Sequence, residues 1–289
     1  MSLRTDLALE SAQQVSLQTQ LEGVSQLRRS YESIKLEVTE ITVESEKAAR
    51  LLNKPAGRYI TVESADGHFS SYSDFFDGRV KCIANEIKRL CEIPERVLVV
   101  GLGNRAITPD SLGPCAAEKI FATRHIKKLA KDLDTSDLSD VAVLTTGVMA
   151  QTGVESSASV RAVCNEISPQ LVIVIDALAC SELSHLGTTV QLCNTGISPG
   201  SGVENARKEL SEKTLGIPCV AVGVPTVTDM ATIAQAASLD PLPKEFQGMI
   251  VTPKTIDNLI RRTSAMIAAS VNKALHPTLT FEEIQSLIM

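Results

Sequence analysis

The chain is patterned as short apolar runs set between amphipathic stretches. Residues 97–100, 141–144, 171–175, 189–193 and 219–222 read as strands. Runs with so little polar interruption suit strands covered on both faces, as in a parallel sheet. Helical spacing falls between them, near 112–131, 154–167, 204–214, 229–238 and 254–274. This alternation predicts an α/β domain with a mainly parallel sheet flanked by helices. The N-terminal part differs. Residues 1 to about 29 are polar, rich in Gln and Ser, and read as a frayed terminus. Residues 31–44 alternate through Ile34, Leu36 and Val38, then slip by one to Ile41 and Val43, which predicts one bulged strand or two short ones. A further strand is expected over 57–63 and a helix over 73–91. The expectation is a single α/β domain, with residues 30–65 forming an N-terminal β-containing extension packed on it.

Composition narrows the function. The 289 residues are 44% hydrophobic, ample for a large core. The net charge is −6 and no long basic run occurs, which argues against direct nucleic-acid binding. Aromatics make up 3% with no Trp, so base-stacking platforms are not expected. No apolar stretch reaches membrane-spanning length, and no signal-peptide core opens the chain, so a cytoplasmic protein is expected. Seven cysteines lack C-x-x-C spacing and read as reduced thiols rather than disulfides or zinc ligands. The four histidines show no metal-ligand spacing, and neither a metal nor a cofactor is expected.

Residues 97–114, VLVVGLGNRAITPDSLGP, carry the densest chemical signal. The apolar run ends in Gly101 and Gly103, and Asp110 follows just before a helix start. Carboxyl ends of strands are where open α/β sheets place their sites. Asp110 is equally readable as a helix cap. The glycines loosely fit the dinucleotide fingerprint, but Pro109 falls where that helix must already run. Asp176 directly follows the apolar run 171–175 and occupies the same kind of place. If the two strands are neighbours, both carboxylates share one crevice and hold one proton between them. One then acts as base on a water while the other protonates the carbonyl oxygen. Asp229 is a third candidate, in a supporting role, although Thr228 or Asp229 also reads as the cap of the next helix. Gly196-Ile197-Ser198-Pro199-Gly200 matches the serine-hydrolase elbow, but Pro199 lacks the N–H that its oxyanion hole needs. Cys180 and His185 are a conceivable dyad only by proximity in sequence.

The longer motifs resemble the germination proteases of spore-forming bacteria. They are GRYITVES (57–64), VVGLGNRAITPDSLGP (99–114), TRH (123–125), GVMAQTGVES (147–156), IDALA (175–179), TGISPGSGVENARKE (195–209), TLGIPCVAVGVPTV (214–227) and VTPKTIDNLI (251–260). The resemblance implies an atypical aspartic endopeptidase that initiates degradation of small acid-soluble spore proteins during germination. It implies the fold of the hydrogenase maturation peptidases, a homo-oligomer (in the family, a tetramer) and a place in the forespore or spore core. It puts the two essential aspartates on Asp110 and Asp176. It also implies a zymogen. Arg4-Thr5-Asp6 followed by Leu7-Ala8 matches the processing motif, with cleavage between Asp6 and Leu7, so that residues 1–6 are a short propeptide and 7–289 the peptidase domain. The segment before residue 251 is shorter than the family pattern. The competing class is the nickel-dependent hydrogenase maturation peptidase. It needs a later histidine, and none occurs from Leu186 to Leu275, which leaves only His276. A non-catalytic relative would leave the paired carboxylates without purpose.

Overall fold

The computed structural model describes residues 5–16, 22–69, 78–129, 135–200, 208–238 and 243–288. Its strands are β1 (Val24–Tyr31), β2 (Leu36–Val43), β3 (Gly57–Ser64), β4 (Arg96–Gly101), β5 (Asp140–Thr145), β6 (Leu171–Cys180), β7 (Thr189–Cys193), β8 (Cys219–Asp229) and β9 (Ile250–Val251). They form one sheet in the order β1-β2-β3-β7-β8-β6-β4-β5, with β9 pairing β8. The class is α/β and the sheet is mixed. β8, β6, β4 and β5 run parallel, while β1, β2, β3 and β7 join antiparallel. Residues 30–65 thus enter the same sheet edgewise, through β3 on β7.

The apolar runs are unbroken because both faces of the parallel strands are covered. Val97, Val99, Ile173 and Ile175 point into a core with α3 (Gly78–Leu90), α4 (Leu112–Ala117) and α10 (Ile256–Leu275). Leu98, Val100, Val172 and Val174 point the other way, onto Val160 and Cys164 of α7 (Ser156–Ile167). Successive strand residues alternate faces, so each run feeds two cores. The remaining helices are α1 (Ala8–Ser16), α2 (Glu46–Leu52), α5 (Arg124–Leu129), α6 (Met149–Thr152), α8 (Glu212–Leu215), α9 (Met230–Ala236) and α11 (Phe281–Ile288).

Several expectations change. The N-terminus is not frayed over its described part. Residues 8–16 are helical with Leu7, Ala8 and Leu9 buried, and 24–31 form an edge strand. β2 has no slip, since its register with β1 and β3 is continuous. The apparent slip records a change in which face is covered. Leu36 and Val38 join the α3 side, whereas Ile41 and Val43 pack with Ala8, Leu9 and Ala48. The helix expected over 112–131 is two pieces, because Phe121 and Thr123 give their backbone N–H groups to Asn272 and Val141 instead. Of the helix expected over 204–214, residues 204–207 lie outside the described residues and α8 begins only at Glu212. β6 and β8 run well past the predicted 175 and 222, so Asp176 and Asp229 are strand residues.

Candidate active site

β4 and β6 are adjacent and parallel, with Gly101 opposite Ile175. The Leu102 N–H extends this ladder by donating to the Ile175 carbonyl (2.9 Å). Asp176 is the next residue on β6, opposite Gly223 of β8, and only 5% exposed. Its Oδ1 accepts from the Ala177 N–H (2.9 Å). Asp110 ends the short 3-10 turn Thr108–Asp110, which folds back over the end of β4. Its Oδ2 accepts from the Asn104 N–H (2.8 Å), and the same N–H reaches the Asp110 carbonyl (3.1 Å). Two short backbone steps, Asp110 to Asn104 and Leu102 to Ile175, therefore link the two aspartates at one corner of the sheet.

Glycine makes this corner. Gly103 has φ +113°, and a Cβ there would lie 2.0 Å from the Asp110 carbonyl oxygen. A side chain at 103 would push the Asp110 turn off the strand end. Gly113 lets α4 press on the β4–β6 seam, since its Cβ would meet the Leu102 and Ile175 carbonyl oxygens at 2.2 and 2.4 Å. From the other side, Thr226 Oγ1 donates to the Pro109 carbonyl (2.8 Å), and Thr252 Oγ1 donates to that of Thr226 (2.8 Å). The turn that carries Asp110 is thus tied to β8 as well as to β4. Asp110 does not cap α4, whose N-cap is Ser111.

Asp229 lies further along β8 than the residue opposite Asp176. It ends β8 six positions beyond Gly223, roughly 20 Å along a strand at ~3.3 Å per residue. Its carboxylate caps α9 by accepting from the Thr232 N–H (2.6 Å), so the capping reading applies. His276 is no third metal ligand. It follows α10 beside Leu275, whose carbonyl accepts from Ser139 Oγ next to the start of β5, at the opposite edge of the sheet from the aspartates. Ser198 sits between the isolated bridge at Ile197 and a turn, not in a strand-to-helix elbow. Cys180 donates to the Val227 carbonyl (3.7 Å), and burial pushes its thiol up. Both His185 ring nitrogens face carboxylates, so these two form no dyad. Among the described residues, no three His, Cys, Asp or Glu side chains cluster as a metal site.

The segment expected to be processed is docked on β6. The Asp6 N–H donates to the Ala179 carbonyl (3.0 Å), and the Ala179 N–H returns to Asp6 Oδ2 (2.8 Å). Lys54 Nζ donates to the carbonyls of Thr5 (3.3 Å) and Asp6 (2.9 Å). Burial lowers the Lys54 pKa, opposed by the Asp6 charge. Leu7 is fully buried against Leu178 and Cys180. Arg4 lies outside the described residues. Asp6, Lys54, Leu178 and Gly223 line a cavity of about 920 Å³. The chain therefore does not offer the Asp6–Leu7 bond as exposed backbone. The sequence marks neither Glu10, Lys54 nor Asn104 as a site residue, and it marks His185 only beside Cys180. Glu10 and His185 are 175 positions apart, and only the fold reveals their contact.

Comparison with known proteins defines first the class and then the family. A family model described as germination protease matches residues 4–247. The chain is 36% identical to the germination protease of Caldanaerobacter subterraneus subsp. tengcongensis, covering 100% of this chain and 98% of that one. It is 37% identical to the Clostridium tetani germination protease over 100% of both. The Oceanobacillus iheyensis germination protease is 40% identical over 84% of this chain and 68% of its own length. The [NiFe] hydrogenase maturation protease HycI of Thermococcus kodakarensis superposes with a TM-score of 0.36 and 18% identity over 64% of this chain and 98% of that one, too loosely to inform the chemistry. The protein is an endopeptidase. It belongs to the germination protease family.

Proposed function

We propose that Asp110 and Asp176 form the proton-sharing pair that hydrolyses the peptide bond. The observation that carries this is the backbone link between them, in which the Asp110 turn is held at the end of β4 and Asp176 follows Ile175 on the adjacent parallel strand β6, in a chain of this family. The ionised carboxylate takes a proton from water as its oxygen attacks the carbonyl carbon. The protonated partner gives its proton to the carbonyl oxygen. Collapse of the tetrahedral intermediate breaks the C–N bond: the amine leaves with the proton first taken from water, and one hydroxyl of the intermediate returns its proton to the aspartate that had given one up, leaving a carboxylic acid. A carboxylate pair that shares one proton holds the acid and the base of this reaction at one site.

The substrates in this reading are small acid-soluble spore proteins, cleaved in the spore core at germination by a homo-oligomer. The chain is a zymogen, activated by cleavage at Asp6–Leu7. The docking of residues 5 and 6 on Ala179 and Lys54, where they line the cavity beside Gly223, supports this reading. Processing requires this segment to leave its seat. Incubation of the purified chain with a small acid-soluble spore protein, read by mass spectrometry with and without EDTA, tests the activity. N-terminal sequencing of the same sample tests processing. Defined cleavage that survives the chelator and a new terminus at Leu7 are expected. An intact substrate defeats the substrate assignment, and a terminus at any other residue defeats the processing site.

A further inference from the structure

We propose that the Asn104 side-chain amide donates a hydrogen bond to the carbonyl oxygen of the peptide bond being cleaved. The inference rests on the assignment of Asp110 and Asp176 above. Asn104 lies two residues past the last backbone step of β4 and is 8% exposed. Its own N–H holds Asp110 Oδ2, so its side chain is rooted at the residue that touches the carboxylate. Its Oδ1 accepts twice, from the Ala106 N–H (2.9 Å) and from Gln151 Nε2 (2.7 Å). A backbone N–H can only donate, so the Ala106 contact fixes which end of the amide is oxygen. Nδ2 is the remaining end, and no described residue accepts a hydrogen bond from it. With Oδ1 engaged twice, the amide is fixed in orientation while Nδ2 stays open to a group that a substrate brings in.

Peptide hydrolysis supplies that use. Negative charge grows on the carbonyl oxygen as water adds, and a donor already clamped in place stabilises it without reorganising. Ala106 and Gln151 provide the clamp, from the turn after β4 and from α6. The alternative role for Asn104 is closure of the local turn through Oδ1 and Ala106. Asp and Ser serve such a turn too, since their oxygens accept from the same N–H.

Asn104→Asp and Asn104→Ser therefore separate the two roles. Both keep an acceptor for Ala106 and lose the amide donor, and the serine variant adds no charge beside Asp110. Steady-state cleavage of a small acid-soluble spore protein by the processed chain is measured for the parent, both variants and Asp110→Asn. Thermal melts confirm folding. Loss of one oxyanion donor is expected to lower kcat about 10²–10³-fold and leave KM nearly unchanged. Gln151→Ala, which frees the clamp but keeps the donor, is expected to lower kcat by less. A folded Asn104→Ser enzyme with kcat near the parent's, or a loss confined to KM, overturns the inference. If only one of the two Asn104 variants folds, that one decides. An active Asp110→Asn enzyme overturns the carboxylate pair itself, whereas an active Asn104→Ser beside a dead Asp110→Asn overturns only the role of Asn104.

Discussion

Two groups of carboxylates lie along β6 and just beyond it, and they are built on opposite principles. At Asp176 the neighbour in the corner is another carboxylate-bearing turn. Beyond Cys180, Glu10 of α1 is fully buried and paired with a base. Its carboxylate accepts from Ser181 N–H (2.7 Å), Ser181 Oγ (2.6 Å), Glu182 N–H (3.1 Å) and His185 Nδ1 (2.6 Å). His185 Nε2 meets Glu63 Oε1 at 3.3 Å. Burial alone would hold His185 neutral, but its bonds to Glu10 and Glu63 outweigh that and raise its pKa to about 10. Burial likewise pushes Glu10 up, and its bonds from His185 and Ser181 bring it below the usual carboxylate value. A carboxylate opposite a fixed cation keeps its charge and exchanges no proton near neutrality. Two carboxylates in one corner compete for a proton, which is what hydrolysis needs. In the proposed mechanism the first group moves protons, whereas the second fastens the N-terminal helix to the end of β6.

The largest effect that would test this contrast is on rate. Asp110→Asn and Asp176→Asn keep size and hydrogen bonding but remove proton exchange, so each is expected to lower cleavage by roughly 10²–10⁴-fold. The double variant should add little, because the pair acts as a unit. Melting temperatures should change little beside that loss. A folded Asp110→Asn enzyme with near-parent turnover would sink the mechanism.

Glu10 should behave in the reverse way. Breaking a buried ion pair by removing one partner costs about 3–5 kcal/mol. Glu10→Ala should therefore lower the melting temperature strongly, with activity falling only as folded protein is lost. Denaturant unfolding read beside a cleavage assay separates the two effects. A Glu10→Ala chain as stable as the parent would mean that the ion group holds nothing.

Acidity sharpens the same contrast. His185 has a folded-state value of about 10, above its ordinary 6.5. Its contribution is complete below about pH 6.5 and is lost as pH rises through about 10. Glu10 is shifted down from 4.5, so its contribution is present above that value and is lost as pH falls through its lower folded-state value. His276 adds a separate acid slope. Burial first, then Lys127, lowers it to about 4, so the unfolded chain binds the extra proton and stability falls as pH drops from 6.5 towards 4. Melting temperature should thus peak near pH 6.5 and fall on both sides. Glu10→Gln should flatten the alkaline side, and His276→Leu the acid side above about pH 4.5. A parent melt that stays level from about pH 7 to 10 would contradict the charged state of His185.

The sequence made one of these groups legible and hid the other for physical reasons. Asp110 and Asp176 each stand beyond an apolar run, which marks the doubly covered part of a strand even where, as in β6, the strand continues to Cys180. The adjacency of β4 and β6 completed what two local signals had suggested. Glu10 carries no such mark. It sits on a nine-residue polar helix, and its partners Ser181, Glu182 and His185 come about 170 positions later. β1 was hidden likewise, because the edge strand VSQLRRSY is mostly exposed and needs no apolar alternation. The apparent slip in β2 came from reading two cores as one.

The smallest expected effect concerns Asp229, the strand-end aspartate that belongs to neither group. Three aspartates follow apolar runs, so position alone cannot rank them, and what each carboxylate touches must. Asp229 Oδ1 accepts from the Thr232 N–H (2.6 Å), satisfying one of the unpaired donors that open α9. Asp229→Ala should cost about 1 kcal/mol, the usual price of losing an N-cap. Asp229→Asn should cost much less, because Asn caps nearly as well. Neither should change kcat by more than about twofold, since no proton passes through a cap and a positioned proton-transfer group is worth 10²-fold or more. A folded Asp229→Asn enzyme slowed a hundredfold would place this carboxylate with the catalytic pair. An Asp229→Ala enzyme with a lower melt and intact turnover would leave the chemistry to Asp110 and Asp176 among these three aspartates.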